Sequence, residues 1–197
     1  MKKWIIPVII LVVVIAIGFF WAMGIKNGAL EKNQGVKESW GNVQTSYERR
    51  NALIGNLVKT VEGAANFEKG TLTAVTEARA KATSVRVDPT NITPEQLAQF
   101  NQAQSGVSSA LSRLLVSVEA YPQLQSNQNF LKLQDELAST ENEIRTARTR
   151  FNETVKGYNN YILRFPNSMF LSGYQEKPYF EASEGADKPV DVNFNIK

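Results

Sequence analysis

The sequence predicts an all-α protein with three parts: a single N-terminal transmembrane helix, a long antiparallel four-helix bundle and an irregular C-terminal tail. Three observations support this fold class. Residues 4–25 form one apolar run, apolar residues then recur every three or four positions through four segments, and short proline-containing stretches separate the later segments. We therefore divide the chain into a short tail (1–3), a membrane helix (4–25), a helical bundle (26–165) and a tail partly packed on the bundle (166–197).

The apolar run has the length of a membrane anchor. At about 1.5 Å per residue it extends about 33 Å, which matches a hydrocarbon core of about 30 Å. The alternative is a cleaved signal peptide with its cleavage site at residues 22–24, but the apolar regions of signal peptides are only about 7–15 residues long. We expect an uncleaved, single-pass anchor. Lysines lie on both sides of the run, so the positive-inside rule does not decide its orientation.

The first bundle helix can continue directly from the membrane helix, because residues 26–35 are polar but contain no proline. Its apolar positions alternate four and three residues apart, which is typical of a helix that buries one face. These positions are Val36, Trp40, Val43, Tyr47, Ile54, Leu57, Val61 and Ala64, with Arg50 as a polar interruption. The second helix has a shorter stripe, formed by Leu72, Val75, Arg79 and Ala82. It is expected to end before Asp88-Pro89, because a residue that precedes proline is disfavoured in a helix.

The third and fourth helices have clear start and stop signals. Thr93, Pro94 and Gln96 predict a capping box with proline at the first helical position. The third stripe comprises Leu97, Phe100, Gln104, Val107, Leu111, Leu114 and Val118. The fourth comprises Phe130, Leu133, Leu137, Thr140, Ile144, Ala147, Phe151, Val155, Tyr158, Ile162 and Phe165, and Pro166 ends it. The tail that follows contains several aromatic residues, so part of it should pack on the bundle; residues 190–194 alternate like a strand, but a lone strand is not stable.

Composition excludes several chemistries. The chain has no cysteine and no histidine, which removes disulfides, thiol nucleophiles, histidine-ligated metals and serine–histidine–aspartate triads. Three of the 22 basic residues flank the apolar run, which leaves 19 against 19 acidic residues. The remaining chain is therefore formally neutral and shows no basic stripe for nucleic acid. No phosphate-binding glycine motif is present, and we expect neither a cofactor nor a catalytic site.

A set of polar residues lies on or beside the apolar stripes of the bundle. Glu141, Arg145 and Arg148 are four and three residues apart and Asn152 follows one turn later, so they share one helix face. Arg50 and Gln104 interrupt the stripes of two other helices. One interpretation is a buried polar network that fixes the register of the helices. The other is a mid-bundle site for an anion or a carboxylate ligand; we favour the first.

Small residues in and after the apolar run predict self-association. Gly18 and Ala22 are four residues apart, and so are Gly24 and Gly28. Small residues at this spacing let two membrane helices approach closely, so that van der Waals packing drives association in lipid. We expect a homo-oligomer formed through these residues.

Several ordered motifs resemble the LemA family of bacterial membrane proteins over nearly the whole chain. They are Trp40 and the segments 49–58 (RRNALIGNLV), 119–124 (EAYPQL), 129–134 (NFLKLQ), 141–144 (ENEI), 147–152 (ARTRFN), 158–159 (YN) and 165–166 (FP). The family's first motif usually reads Asp-Leu-Ile-Pro-Asn-Leu. Here Asn51-Ala52 precedes Leu53-Ile54, and Gly55 replaces the proline.

The resemblance implies a protein of the bacterial inner membrane with one membrane helix and a long-helix bundle in the cytoplasm. Because the family often occurs near a membrane metalloprotease, it also names such a protease as a candidate partner. It implies no reaction. Together with the composition it favours a non-enzymatic, membrane-anchored scaffold or protein-interaction protein that self-associates and contacts the lipid bilayer but no nucleic acid. A sensory or ligand-binding helical bundle is the alternative, and an enzyme is the least favoured class.

Overall fold

The computed structural model describes residues 4–63 and 67–181, and within these ranges the chain is helical with no strand. Four long helices carry the fold, and two single-turn helices lie in the connections. The helices are α1 (Ile5–Glu62), α2 (Lys69–Ser84), α3 (Pro94–Val118), α4 (Pro122–Gln125), α5 (Gln128–Leu163) and α6 (Asn167–Phe170). The all-α prediction is confirmed, and α1 is the long apolar N-terminal helix that packs against α5.

The predicted membrane helix and the first bundle helix form one uninterrupted helix of 58 residues. Its first buried residue is Ile25, and the large apolar residues before it are exposed. Among the described helices, α1 is the one that is long and apolar enough to cross a membrane. The helix also continues through Gly55. The guanidinium of Arg79 on α2 lies 3.3 Å from the place that a Cβ added at Gly55 would occupy.

The directions of the helices follow from contacts between distant parts of the chain. The Tyr161 hydroxyl on α5 donates a hydrogen bond to the Ile25 carbonyl, whereas Arg49 further along α1 pairs with Glu143 earlier on α5, so α1 and α5 are antiparallel. Contacts of Trp40 with Phe100, and of residue 50 with residue 104, show that α1 and α3 are parallel. Helix α2 packs mainly on α3 and also contacts α1.

Two buried apolar clusters lie along the packed helices. One lies near the predicted membrane helix and the other lies at the opposite end of the bundle. The first is built around Trp40, whose ring contacts Phe100, Phe151 and Phe180 at centroid distances of 5.2–5.9 Å. The second contains Ile54, Leu114 and Leu137 among its buried members. The predicted stripes therefore supply the core, because residues three and four apart share one helix face.

Helix ends follow the predicted capping chemistry. The Thr93 hydroxyl accepts from the Gln96 backbone N–H, and the Gln96 side chain accepts from the Thr93 N–H, which completes the capping box. Asn127 caps α5 by accepting from the backbone N–H groups of Asn129 and Phe130. Helix α2 ends at Ser84, before the proline-containing turn.

Not all of the predicted stripe positions are among the buried residues. Phe165 was placed on the fourth stripe and is exposed, because α5 ends at Leu163 and the chain turns away before reaching it. Leu111 is half-buried, and its neighbour Ala110 is the buried residue at that level of α3. Ala64 lies outside the described residues.

The described part of the tail packs on the bundle, as expected. Residues 171–181, which we call the C-terminal strap, are non-helical and cross the surface of α5. Leu171 and Phe180 bury their side chains in the cluster that contains Trp40. The predicted strand-like segment 190–194 lies outside the described residues.

Candidate functional site

Arg50 is the centre of a polar cluster in the middle of the bundle. Its guanidinium donates to the Glu141 carboxylate at 3.0 Å, to the Ser108 hydroxyl at 3.3 Å and to the Gln104 side-chain oxygen. The Arg50 side chain is only 3% exposed, whereas that of Glu141 is 45% exposed. The guanidinium also lies 4.9 Å from the centroid of the Tyr47 ring. Three helices, α1, α3 and α5, are thus joined through one buried cation.

A polar cleft of about 630 Å³ opens beside this cluster. Its charged lining consists of Arg50, Arg148, Glu141 and Glu181, so positive and negative side chains balance. Its volume lies within the range of ligand pockets, roughly 300–1,000 Å³. The charged lining of the cleft therefore has no excess of either sign.

Burial raises the pKa of the Tyr47 phenol above its ordinary value of 10.0, while the charges of Arg148 and Arg50 oppose this shift and that of Glu141 adds to it. The folded state therefore keeps the phenolic proton to a higher pH than the unfolded state. Above about pH 10 the folded state binds more protons, so the free energy of unfolding should fall as the pH rises. Tyr47→Phe should flatten this decline, measured by urea unfolding between about pH 9 and 11. An unchanged slope would contradict the assignment.

The C-terminal strap is held by two asparagine side chains on α5. Asn152 donates to the Phe180 carbonyl at 2.9 Å and accepts from the Phe180 N–H at 2.8 Å. Asn159, two turns later, makes the same pair of bonds with Lys177, both at 2.9 Å. Each amide thus satisfies one donor and one acceptor of an extended backbone that has no strand partner.

Further contacts hold the C-terminal half of the strap. Arg148 lies 4.6 Å from the centroid of the Phe180 ring and donates to the Glu181 carbonyl at 3.1 Å. The Lys177 ammonium donates to the Thr90 carbonyl in the α2–α3 connection at 3.2 Å. Burial lowers the pKa of Lys177; the charge of Lys37 lowers it further and that of Asp88 opposes both. The strap therefore joins α5 to the connection between α2 and α3.

Asn159→Ala should release the strap and cost about 1–3 kcal/mol of folding free energy, because the Lys177 backbone N–H and C=O lose their partner in a buried position. Hydrogen exchange of the Lys177 and Phe180 amides measures the release, and urea unfolding measures the cost. Asn160→Ala is the matched control, since Asn160 is the exposed neighbour on the same helix turn. Equal exchange in the two variants would show that Asn159 does not hold the strap.

The structure divides the predicted polar set into two groups and leaves Arg145 outside both. Arg50, Gln104 and Glu141 form the buried cluster. Arg148 and Asn152 instead bind the strap, and Arg145 is exposed, with no side-chain hydrogen bond among the described residues. The sequence placed these α5 residues on one helix face, but it did not show that two different elements use that face.

Sequence reasoning missed the roles of Asn159 and Lys177. Both are buried, and their mutual bonds fix the position of the strap. A signal was present, because Asn152 and Asn159 are seven residues apart and therefore lie on one face of α5. The partner of such a face cannot be read from the spacing.

The predicted self-association residues also separate. Among the described residues, no atom outside the local helix lies within 4 Å of a Cβ added at Gly18 or Gly24, and Ala22 is half-buried. At Gly28, in contrast, the Tyr161 side chain of the same chain occupies the space that a Cβ would need. Gly28 thus allows α5 to approach α1 within one chain.

Because Gly28 is packed against Tyr161 and Gly18 is not packed, substitutions at the two glycines should have opposite effects. Gly28→Ile should destabilise the bundle by about 1–3 kcal/mol, because it overpacks against Tyr161. Gly18→Ile should leave bundle stability unchanged and weaken self-association in bilayers, because Gly18 is open to a second chain. Urea unfolding and energy transfer between labelled chains in vesicles measure the two effects. Unchanged energy transfer in Gly18→Ile would remove Gly18 from the association interface.

Acidic residues do not gather into a metal-binding group of three or more anywhere in residues 4–63 and 67–181. The geometry defines a class: an all-α protein whose N-terminal helix is long and apolar enough to span a membrane and whose described polar residues mainly join helices and hold a tail.

Comparison with known proteins gives the family. The sequence profile of the LemA family matches residues 39–194, and the chain belongs to that family. It is 25% identical to Protein LemA of Metamycoplasma hominis over 158 residues, which are 80% of this chain and 68% of that protein. It is 26% identical to Magnetosome protein MamQ 2 of Paramagnetospirillum magneticum and to Magnetosome protein MamQ of Magnetospirillum gryphiswaldense. Each of these two matches covers 76% of this chain and 62% of the relative.

Proposed function

We propose that this protein is a non-enzymatic, membrane-anchored scaffold that holds partner proteins close to a bacterial inner membrane. The observation that carries the proposal is the continuity of α1. The exposed apolar residues of its first half and the buried core residues of its second half belong to one helix. A partner bound to the bundle would therefore be held at a fixed height and angle relative to the lipid.

The polar residues of the bundle also support a scaffold. Arg50, Gln104 and Glu141 bond to one another, and Asn152 and Asn159 are used by the strap. Groups occupied in this way fix helix register and tail position. A rigid body with a fixed surface suits protein binding.

The family supplies the remaining parts of the proposal. Two relatives are named magnetosome proteins. For this chain we propose a single membrane pass, a cytoplasmic bundle, a homo-oligomer associated near Gly18 and Ala22, and a membrane protein partner such as a membrane metalloprotease.

Crosslinking in intact membranes tests the scaffold. Because the chain has no cysteine, single cysteines can be introduced for site-specific crosslinkers on the exposed face of the bundle, for example at Arg145, and in the membrane helix at Gly18. The proposal expects a specific adduct with another membrane protein from the bundle position and an adduct with a second copy from Gly18. If neither position gives a specific protein adduct, the scaffold proposal fails.

The polar cleft favours the alternative, a ligand-binding bundle. Arg50 has a buried Nε without a partner among the described residues, and Arg148 lies on the same cleft. A small ligand with both an acidic and a donor group would fit this mixed lining. Thermal unfolding of the full-length protein with a panel of metabolites tests it. A specific stabilisation that disappears in Arg148→Ala would favour the sensor over the scaffold.

A further inference from the structure

We propose that the apolar rim formed by Leu163, Phe165 and Met169 is a second membrane contact, which inserts into the lipid interface beside the membrane helix. The proposal rests on the proposed membrane anchoring by α1. It adds that the bundle itself touches the lipid and is not merely suspended from the anchor.

The rim lies at the height of the end of the apolar run. The Tyr161 hydroxyl binds the carbonyl of Ile25, the last residue of that run, at 3.1 Å. After Tyr161 the chain continues towards the N-terminal end of α1, and Phe170 reaches Trp21 at a ring-centroid distance of 5.7 Å. Trp21 precedes Ile25 by one helix turn, or about 6 Å. Helix α6 therefore overlaps the last turn of the apolar run.

Exposure distinguishes the rim from ordinary surface residues. Phe165 is 76% exposed, Met169 68% and Leu163 55%, within seven residues of the chain. Trp21 and Met23 on the adjacent turn of α1 are also exposed. Single exposed apolar residues are normal, but a contiguous group beside an apolar helix marks a contact surface.

The segment has the chemistry of a membrane interface. Arg164 and Lys26 are exposed at the same level and can reach phosphate headgroups while apolar neighbours enter the acyl region. Trp21 and Phe170 form an aromatic pair of the kind that is enriched at the membrane–water boundary. Interfacial segments of this type insert about 5–10 Å, which agrees with an overlap of one helix turn.

Several backbone groups near the rim are already hydrogen-bonded within the protein, which suits a partly dehydrated environment. The Ser168 N–H donates to the Arg164 carbonyl and the Met169 N–H donates to the Pro166 carbonyl, both at 3.1 Å. The Asn167 side chain donates to the Tyr161 carbonyl at 3.0 Å. Satisfied backbone groups reduce the cost of leaving water. Leu171 is buried in the core directly after α6, which holds the rim in place.

Depth-dependent fluorescence quenching tests the proposal on the full chain. Because the chain has no cysteine, Phe165→Cys and Met169→Cys can each carry one environment-sensitive fluorophore. Leu131→Cys is the matched control, an exposed apolar residue near the opposite end of the bundle. Ile10→Cys reports the membrane helix. The proteins are reconstituted in phosphatidylcholine–phosphatidylglycerol vesicles with spin labels at the lipid headgroup or deep in the acyl chain.

The expected result is blue-shifted emission at residues 165 and 169 and strong quenching by the headgroup-proximal label, with neither effect at residue 131. Quenching of Ile10→Cys by the deep label, without quenching at 165 and 169, would overturn the rim while leaving the anchor intact. No quenching at any position would overturn the anchor as well. A blue shift at 165 that depends on protein density and not on lipid quenchers would assign the rim to a second copy and overturn the proposal.

Discussion

Trp40→Ala should destabilise the folded bundle by about 3–5 kcal/mol, which is the cost expected for removing a large aromatic side chain from a packed core. Trp40 is completely buried and contacts one aromatic ring from α3, one from α5 and one from the strap. Urea unfolding of the full-length protein in detergent, followed by circular dichroism, measures the loss.

Two further variants make this prediction specific. Trp40→Phe should cost clearly less than Trp40→Ala, because the indole N–H has no hydrogen-bond partner among the described residues and only part of the ring volume is lost. Val116→Ala, at an exposed apolar position of α3, should change stability by less than about 0.5 kcal/mol. A loss below about 1 kcal/mol for Trp40→Ala would show that the aromatic cluster does not hold the strap and helices together.

Glu141→Ala should cost about 3 kcal/mol, because it leaves the Arg50 charge buried without its ionic partner. Arg50→Met should cost about 1–3 kcal/mol, since Gln104 loses its partner while Glu141 can turn to solvent. In the double variant the second change should then cost almost nothing. This strong non-additivity is the signature of a direct interaction and is measured by a double-mutant cycle.

The pair of Arg49 and Glu143 is the natural control for this cycle. It joins the same two helices at 3.2 Å, but its side chains are 54% and 41% exposed. Exposed pairs contribute about 0–1 kcal/mol, so Glu143→Ala should have a small effect. If Glu141→Ala and Glu143→Ala cost the same, burial of Arg50 does not strengthen its ion pair.

Much of the fold follows from local chemistry that the sequence displays. The apolar run, the three-four spacing of core residues and the capping box at Thr93 were all predicted, and the helices lie where those signals place them. The fourth stripe was extended too far, to Phe165, because periodicity alone does not show where a chain leaves its helix. Gly28 was predicted to contact a second chain, and within its own chain it contacts Tyr161; the spacing of small residues does not identify the helix that approaches them.

The sequence by itself determined the helices, the buried face of each and the apolar N-terminal segment, since these depend on residues within a few turns of one another. Only the tertiary structure decided the partner of each face. Arg50 meets Glu141 across 91 positions of the chain, Tyr161 meets Ile25 across 136, and the strap finds Asn152 and Asn159. Spacing fixes the direction of a side chain from its own helix axis, whereas the group that it meets depends on how several axes pack together.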